Sequence, residues 1–341
     1  MSVPILKYCP GTLTEGFKTY SQTCLKNLFN AKQVSHILPF DSPQQSEEVV
    51  ALFMENMKHI SISGVQQKLS LVQERNLLRL TNEKEQGTHI LKPIPSLLKK
   101  ANMVPANEHL TMQIARQVYG IDIAANGMIF FQDGTPAYIT RRFDVKPDAR
   151  LPDGQGGKWG KEDFATLAGK TKTTSENYKY EFSYEELGLL IQKHVPAWVV
   201  EIEKYFSLVM FNFLFSNGDA HLKNFSILET SRGDYRLSPA YDLINSRMHL
   251  DDSDFAFDKG LFADSFRSET FKKKNHPCKE DFAEFGKRIG MQENRMERII
   301  QLFIEKQNMV ETLVNRSFLD DASKRGYLLQ YNTRRNLLIG K

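Results

Sequence analysis

The feature that most constrains this chain is the separation of two hydrophobic patterns along its length. Between about residues 60 and 143, apolar and polar residues alternate in segments such as KLSLVQE and LLRLT, which is the period of β-strands. Beyond a stretch rich in Gly, Pro and charge, KPDARLPDGQGGKWGK, apolar residues recur mainly at the spacing of α-helices. Strands and helices that are segregated in this way predict an α+β fold rather than alternating βαβ units.

The individual elements follow from the same patterns. In the first part, strands are predicted for HILKP, NGMIFFQ and PAYITRRF, with one helix, NEHLTMQIARQVYG, between them. In the second part, helices are predicted for KEDFATLAGK, SYEELGLLIQKH, VVEIEKYFSLVMFNFLFSN, KEDFAEFGKRIG and ENRMERIIQLFIEKQNMVETLVNRSF. The polar stretch after Asp144 is the best linker candidate. We therefore predict two domains, residues 1–144 and residues 145–341, and a cleft between two such bodies is a natural ligand site.

Composition narrows the class of protein. The 341 residues are 41% hydrophobic and 25% charged, as in soluble globular proteins, and the net charge of +4 is too small to require nucleic acid or an anionic membrane as partner. Cys9, Cys24 and Cys278 form no metal-ligand pattern and no disulfide framework, which fits a reducing cytoplasm. The longest apolar stretch, 206–215, is too short to cross a membrane, and the N-terminal residues make a poor signal peptide. We expect a cytoplasmic protein.

The stretch LFSNGDAHLKNFSIL places a polar loop between two apolar segments. Asp219 and Asn224 have the D-x-x-x-x-N spacing of kinase catalytic loops, in which the Asp accepts the proton of the attacking hydroxyl and the Asn holds Mg²⁺. Asp242, in YRLSPAYDLINSR, could supply a second oxygen ligand for the metal. Structural roles are the alternative: Asp219 as a turn residue, Asn224 as a cap and His221 as a support of the loop.

Phosphate handling requires cations and backbone donors. The segment SISGVQQK contains Gly64 and ends in Lys68, although one glycine alone also fits an ordinary hairpin. Lys92 lies inside the apolar strand HILKP, where a lysine is unusual unless it meets a carboxylate or a phosphate. Glu108 on the following helix is a candidate partner for Lys92, although NEH also resembles a helix start.

These motifs, taken together and in this order, resemble the HipA family of bacterial toxin kinases, and most closely its short HipT-type members. The resemblance implies a two-lobed protein-kinase-like fold with a strand-rich N-lobe and a helical C-lobe. It implies Asp219 as catalytic base, Asn224 and Asp242 as Mg²⁺ ligands, and Lys92 at the α/β phosphates of ATP. Further ATP-site residues are expected at Ser63, Gly64, Val65, Gln66, Gln67, Lys68 and His221, and at the backbone around Arg141 and Phe143.

The resemblance also implies a biological role. Family members phosphorylate a serine of an aminoacyl-tRNA synthetase of the glutamate- or tryptophan-charging class, which halts translation. Antitoxin partners would be a small HipS-like protein and a HipB-like DNA-binding protein, whereas direct DNA binding by this chain is not expected. Ser61 and Ser63 are candidate autophosphorylation sites, although small hydroxylated residues also suit a tight turn. An inactive kinase-fold binding module in a repressor complex and a small-molecule kinase are the competing functions.

Overall fold

The structure, a computed structural model, describes residues 5–43, 67–82, 85–96, 98–146 and 157–340. Of the predicted phosphate-loop and phosphorylation residues, Ser61, Ser63, Gly64, Val65 and Gln66 lie outside the described residues, as does most of the predicted linker. The chain divides into two compact units. The strand unit comprises Met1–Ile114, Ile123–Lys158 and Met309–Lys324, and the helical unit comprises Ala115–Asp122, Trp159–Asn308 and Arg325–Lys341. The predicted domain boundary after residue 144 stays a prediction.

The strand unit is built on an antiparallel sheet. Its strands within the described ranges are β1 (Leu69–Glu74), β2 (Leu77–Leu80), β3 (His89–Lys92), β4 (Asn126–Phe130) and β5 (Pro136–Arg141), in the spatial order β2-β1-β3-β5-β4. Leu91 on the central strand β3 lies opposite Leu69 on one side and Ile139 on the other. The register therefore places apolar side chains in rows across the sheet, as the alternating sequence pattern predicts.

Helix α1 (Gln22–Phe29) covers one face of this sheet. Its buried residues Leu25, Leu28 and Phe29 share one apolar cluster with sheet residues that include Leu71, Leu91, Ile129 and Ile139. The close approach depends on Gly127 of β4, where a Cβ would lie 3.2 Å from the Leu28 side chain and 3.3 Å from the Pro10 carbonyl oxygen. A second helix, α2 (Val104–Gln117), follows β3 in the chain.

The helical unit is organised around the apolar helix α5 (Trp198–Leu214). The other helices of the described chain are α3 (Phe164–Leu167), α4 (Tyr184–His194), α6 (Glu269–Lys274), α7 (Lys279–Arg288), α8 (Glu293–Ile304), α9 (Asn308–Arg316) and α10 (Asp321–Ile339). A small antiparallel sheet joins β6 (Lys161–Asp163), β7 (Ser226–Glu229) and β8 (Tyr235–Leu237). The α+β prediction is confirmed, with strands before residue 142 and helices predominating after it.

Two predictions for individual elements were wrong. KEDFATLAGK begins as strand β6 and not as a helix, because residues 161–163 pair with β7 and Asp163 then caps α3 by accepting a hydrogen bond from the Thr166 N–H. ENRMERIIQLFIEKQNMVETLVNRSF is two helices, α8 and α9, because Glu305 adopts an extended conformation and the Gln307 N–H donates to the Tyr331 hydroxyl. Among the described helices, none combines the length and the apolar character that a bilayer crossing requires.

Candidate active site

The polar loop after α5 is anchored by a polar residue inside that apolar helix. Ser216, two residues after the end of α5, adopts the left-handed conformation, with φ of 54°. The Asn217 backbone N–H then donates to the Asn212 carbonyl oxygen at 2.8 Å, and its side-chain amide donates to Asn212 Oδ1 at 3.0 Å. The Gly218 N–H donates to Ser246 Oγ at 2.9 Å. The buried Asn212 therefore fixes the direction in which the chain enters the loop.

Asp219 follows directly and is largely shielded from solvent, with 9% of its surface exposed. The Tyr180 hydroxyl donates to Asp219 Oδ1 at 3.0 Å, and His221 Nε2 lies 3.9 Å from the same oxygen. Burial raises the pKa of the Asp219 carboxyl to about 7; the Lys179 cation opposes this rise, and the carboxylates of Asp252 and Asp242 add to it. A carboxyl with a pKa near neutrality can both accept and release a proton, as a general base must.

Asn224 and Asp242 lie side by side next to this loop. Asn224 Oδ1 accepts a hydrogen bond from the His221 N–H at 3.1 Å, and Asn224 Nδ2 donates to Asp242 Oδ2 at 3.4 Å. Asp242 has a φ of 56°, a left-handed conformation that is costly for a non-glycine residue and that clusters at functional sites. The Tyr241 hydroxyl lies 2.6 Å from Ser226 Oγ and donates to the Lys223 carbonyl oxygen at 2.9 Å, so that the two segments are joined.

This pair has the chemistry of a magnesium site. Mg²⁺ takes hard oxygen ligands, uses few protein groups and completes its shell with water and phosphate oxygens. A carboxylate and an amide carbonyl are such ligands, and the amide oxygen of Asn224 uses only one of its two lone pairs on the His221 N–H. The residues present therefore fit a divalent cation.

His221 is a buried neutral imidazole. Burial, followed by the nearby Lys179 cation, lowers its pKa to about 3. Its ring meets the Tyr180 ring edge-to-face, with centroids 5.3 Å apart. This packing favours the interpretation of His221 as a support of the loop, and its contact with nucleotide stays a prediction.

In the strand unit, Lys92 makes the ion pair that its sequence context indicates. Lys92 Nζ lies 2.5 Å from Glu108 Oε1, with only 4% of Lys92 and 2% of Glu108 exposed. The ammonium also lies 5.3 Å from the centre of the Tyr138 ring. The pair links strand β3 to helix α2, as the strand lysine and helix glutamate of a kinase would.

The remaining predicted ATP-site residues are placed as follows. Gln67 and Lys68 are exposed directly before β1. Arg141 ends β5; its backbone N–H donates to the Ala125 carbonyl oxygen at 2.8 Å and its guanidinium donates to the Asn27 carbonyl oxygen at 3.2 Å. Phe143 follows two residues later. Their roles in nucleotide binding stay predictions.

Lys179, Tyr180 and Asp252 act on Asp219 in the structure and were not expected from the sequence. Tyr180 precedes Asp219 by 39 residues, and no periodicity or motif links the two stretches. One signal was present in Gly218. A Cβ there would lie 2.6 Å from Asp252 Cβ and 2.7 Å from the Ser253 carbonyl oxygen, so the loop requires glycine where it meets the segment that contains Asp252.

Comparison with known proteins supplies the family. A family model described as the HipA-like C-terminal domain matches residues 60–311, which is most of the chain. The chain belongs to this HipA-like family. The match includes the Lys92 and Glu108 segments as well as the loop from Asp219 to Asn224 and the segment of Asp242.

Individual relatives agree with the family match. A Haemophilus influenzae protein that is provisionally named a kinase is 27% identical to this HipA-like chain over 339 residues. The alignment covers 95% of this chain and 94% of the relative. A Sinorhizobium fredii protein provisionally named kinase Y4dM is 28% identical over 231 residues, covering 63% of this chain and 52% of that protein. The chain thus spans about half the length of the second relative.

Two solved structures resemble this chain in fold. A chain of the Shewanella oneidensis HipA–HipB toxin–antitoxin complex with operator DNA superposes with a TM-score of 0.64 at 21% identity, covering 89% of this chain and 74% of that one. The Helicobacter pylori proinflammatory kinase CtkA gives a TM-score of 0.50 at 13% identity, covering 77% and 90% of the two chains. These likenesses establish a HipA- and CtkA-like kinase fold.

Proposed function

We propose that this HipA-like chain is an ATP- and Mg²⁺-dependent protein kinase that phosphorylates serine or threonine. One observation carries the proposal: Asp219, with its raised pKa, lies on the same short loop as Asn224, whose side chain contacts Asp242. A general base and a two-oxygen metal site are the two elements that phosphoryl transfer requires from a catalytic loop. The buried Lys92–Glu108 pair and the names of the relatives add support.

In the proposed reaction, Asp219 Oδ2 accepts the proton of the acceptor hydroxyl, while the Tyr180 hydroxyl holds Oδ1 in place. The acceptor oxygen bonds to the terminal phosphorus of ATP, the bond from that phosphorus to the ADP oxygen breaks, and ADP leaves. Asn224 and Asp242 would hold Mg²⁺, which would neutralise part of the phosphate charge. Lys92, oriented by Glu108, would contact the α and β phosphates.

The finer parts of the proposal extend the family resemblance. The acceptor would be a serine of an aminoacyl-tRNA synthetase of the tryptophan- or glutamate-charging class, so that the chain acts as a translation-blocking toxin in the cytoplasm. At least one of Ser61 and Ser63 would be an autophosphorylation site, where a phosphoserine would add about −1.5 to −2 charges beside the expected phosphate loop. A small HipS-like protein and a HipB-like DNA-binding protein would be its antitoxins, and the HipA–HipB assembly with DNA of the structural relative supports this class of partner.

Labelled ATP tests the proposal. The wild-type chain with Mg²⁺ and a bacterial extract should transfer label from the terminal phosphate to protein, and Asp219→Asn should abolish the transfer because the base is lost. Asp234→Asn, in the exposed turn between β7 and β8, is the matched control and should retain wild-type transfer. Equal transfer by Asp219→Asn and wild type would refute the mechanism. Label that enters only small molecules would favour a metabolite kinase, and no ATP turnover at all would favour an inactive binding module.

A further inference from the structure

The helical unit contains a cavity of about 400 Å³ that the proposed chemistry does not use. It is formed largely by residues 253–267, which follow Asp252 in the chain, and six of its sixteen lining residues are aromatic. We name it the aromatic pocket and define it by Tyr180, Phe255, Phe257, Phe262, Phe266 and Phe271. Its volume is at the small end of the range for ligand pockets, about 300–1,000 Å³, so it suits one large side chain better than a nucleotide.

The pocket adjoins the candidate catalytic base through one residue. Tyr180 lines the pocket, and its hydroxyl donates to Asp219 Oδ1 at 3.0 Å. At its other end, the lining segment begins against the catalytic loop, because Gly218 leaves room for the Ser253 carbonyl oxygen. A polypeptide whose hydroxyl reaches Asp219 would therefore have its neighbouring residues close to the pocket.

The walls are held rigidly by the body of the helical unit. Phe255 and Phe257 pack against the buried Tyr184, with ring centroids 5.6 and 4.5 Å apart. Phe262 and Phe266 meet edge-to-face at 4.9 Å, and the Arg288 guanidinium lies 4.8 and 5.0 Å from their ring centres. A pocket that is formed before binding does not require the ligand to order it.

Three of the five charged residues that line the pocket have ionic partners within the unit. Asp254 accepts hydrogen bonds from Arg334 at 2.6 Å and Arg247 at 3.1 Å. Asp264 accepts from Arg288 at 2.9 Å, and Lys259 donates to Glu186 at 3.1 Å. With these three charges engaged by internal partners, aromatic residues are the largest group among the remaining lining side chains, beside the exposed Asp258 and Arg267. Phe266 in the lining is 36% exposed, so its ring is accessible to a ligand from solvent.

We propose that the aromatic pocket binds a large apolar side chain of the acceptor polypeptide, close in sequence to the hydroxyl that is phosphorylated. The inference rests on the proposed kinase function and specifies its substrate: a protein segment with an aromatic or large aliphatic residue near the acceptor serine. The pocket thus sets specificity, and Asp219 carries out the proton transfer beside it.

A peptide library with one fixed serine and varied neighbours, together with labelled ATP, tests this. Wild type should prefer a large apolar residue at one fixed distance from the serine, with kcat/KM at least about tenfold above the matching alanine peptide. Two variants then probe the pocket: Ala256→Leu, which fills it, and Phe266→Ala, which removes a partly exposed wall. In both variants, the ratio of kcat/KM for the apolar peptide to kcat/KM for the alanine peptide should fall towards one. The ratio compares two substrates of one enzyme, so a general loss of activity does not change it.

Leu329→Ala on α10 is the matched control, because Leu329 is 69% exposed but does not line the pocket, and its ratio should equal that of wild type. Far-UV circular dichroism verifies that each variant is folded. If wild type phosphorylated the peptides with no preference for an apolar residue, the pocket assignment would be refuted but the kinase function would stand. The same conclusion would follow if the apolar preference persisted in both pocket variants. Failure of wild type to label any peptide or protein would overturn both.

Discussion

The buried Lys92–Glu108 pair allows a quantitative test of how the strand unit is stabilised. Lys92→Met keeps the length of the side chain but removes the ammonium that lies 2.5 Å from Glu108 Oε1. At that distance, with an effective dielectric constant of about 20, the direct attraction is roughly 7 kcal/mol, much of which is offset by desolvation of both groups. The substitution leaves the Glu108 carboxylate buried without this cation, for which we expect a loss of about 3–5 kcal/mol in the free energy of unfolding.

The double variant Lys92→Met/Glu108→Leu separates the charge effect from loss of packing. Replacement of both charges by apolar groups removes the buried carboxylate, and such replacements are often close to neutral. We therefore expect the double variant to be more stable than Lys92→Met alone. Lys272→Met is the matched control: its ion pair with Glu269 has a similar length of 2.6 Å but both side chains are exposed, so stability should not change measurably.

Urea unfolding of the full-length chain, followed by far-UV circular dichroism, is the appropriate assay. Trp159 and Trp198 both belong to the helical unit, so their fluorescence reports on that unit and shows whether the strand unit unfolds separately. If Lys92→Met were no more destabilising than Lys272→Met, or if the double variant were as unstable as the single one, the argument that burial makes this pair energetically important would be wrong.

Three further predictions concern the loop, the base and the core. Gly218→Ala should reduce phosphoryl transfer strongly while helix content is retained, because the added Cβ would lie 2.6 Å from Asp252 Cβ. Gly326→Ala on α10, where a Cβ would meet nothing within 4 Å, tests whether any glycine loss acts in this way. Tyr180→Phe removes the hydrogen bond to Asp219 Oδ1 and should lower kcat about tenfold, whereas the control Tyr235→Phe should leave kcat unchanged. If kcat of Tyr180→Phe were unchanged, Tyr180 would have no role in positioning the base. His89 is 1% exposed, and burial lowers its pKa from 6.5 to about 4, so the stability that it contributes is complete above pH 6.5 and is lost as pH falls towards 4. The stability advantage of wild type over His89→Gln should therefore shrink by about 1.4 kcal/mol per pH unit across this interval, and a difference that is constant with pH in urea titrations would contradict the burial of a neutral imidazole.

The sequence predicted those parts of the fold that local patterns determine. Strands β1 to β5 and helices α2, α4, α5 and α7 lie where alternation and helical spacing place them. The expected loop between two apolar segments is also present, since the polar residues of 217–224 lie between α5 and β7. These elements depend on residues within one window of sequence, so a single chain suffices to identify them.

The two predictions that failed depend on distant residues. Strand β6 forms because residues 161–163 pair with β7, more than sixty residues later in the chain. The break between α8 and α9 involves the Tyr331 hydroxyl, 24 residues from Gln307. Tyr180 likewise reaches Asp219 across 39 residues. Tertiary contacts of this kind override local propensity, and no motif of the sequence records them.

The polar interruption after α5 has a physical explanation that unites stability and proposed chemistry. A carboxylate is costly to bury, and burial of Asp219 raises its pKa to about 7 against the opposing charge of Lys179. The surrounding structure holds the group in place through the Asn212–Asn217 hydrogen bonds and the Tyr180 hydroxyl, and none of these groups carries a charge that would hold Asp219 permanently ionised. A buried carboxyl with a raised pKa is what the proposed role of Asp219 as proton acceptor requires.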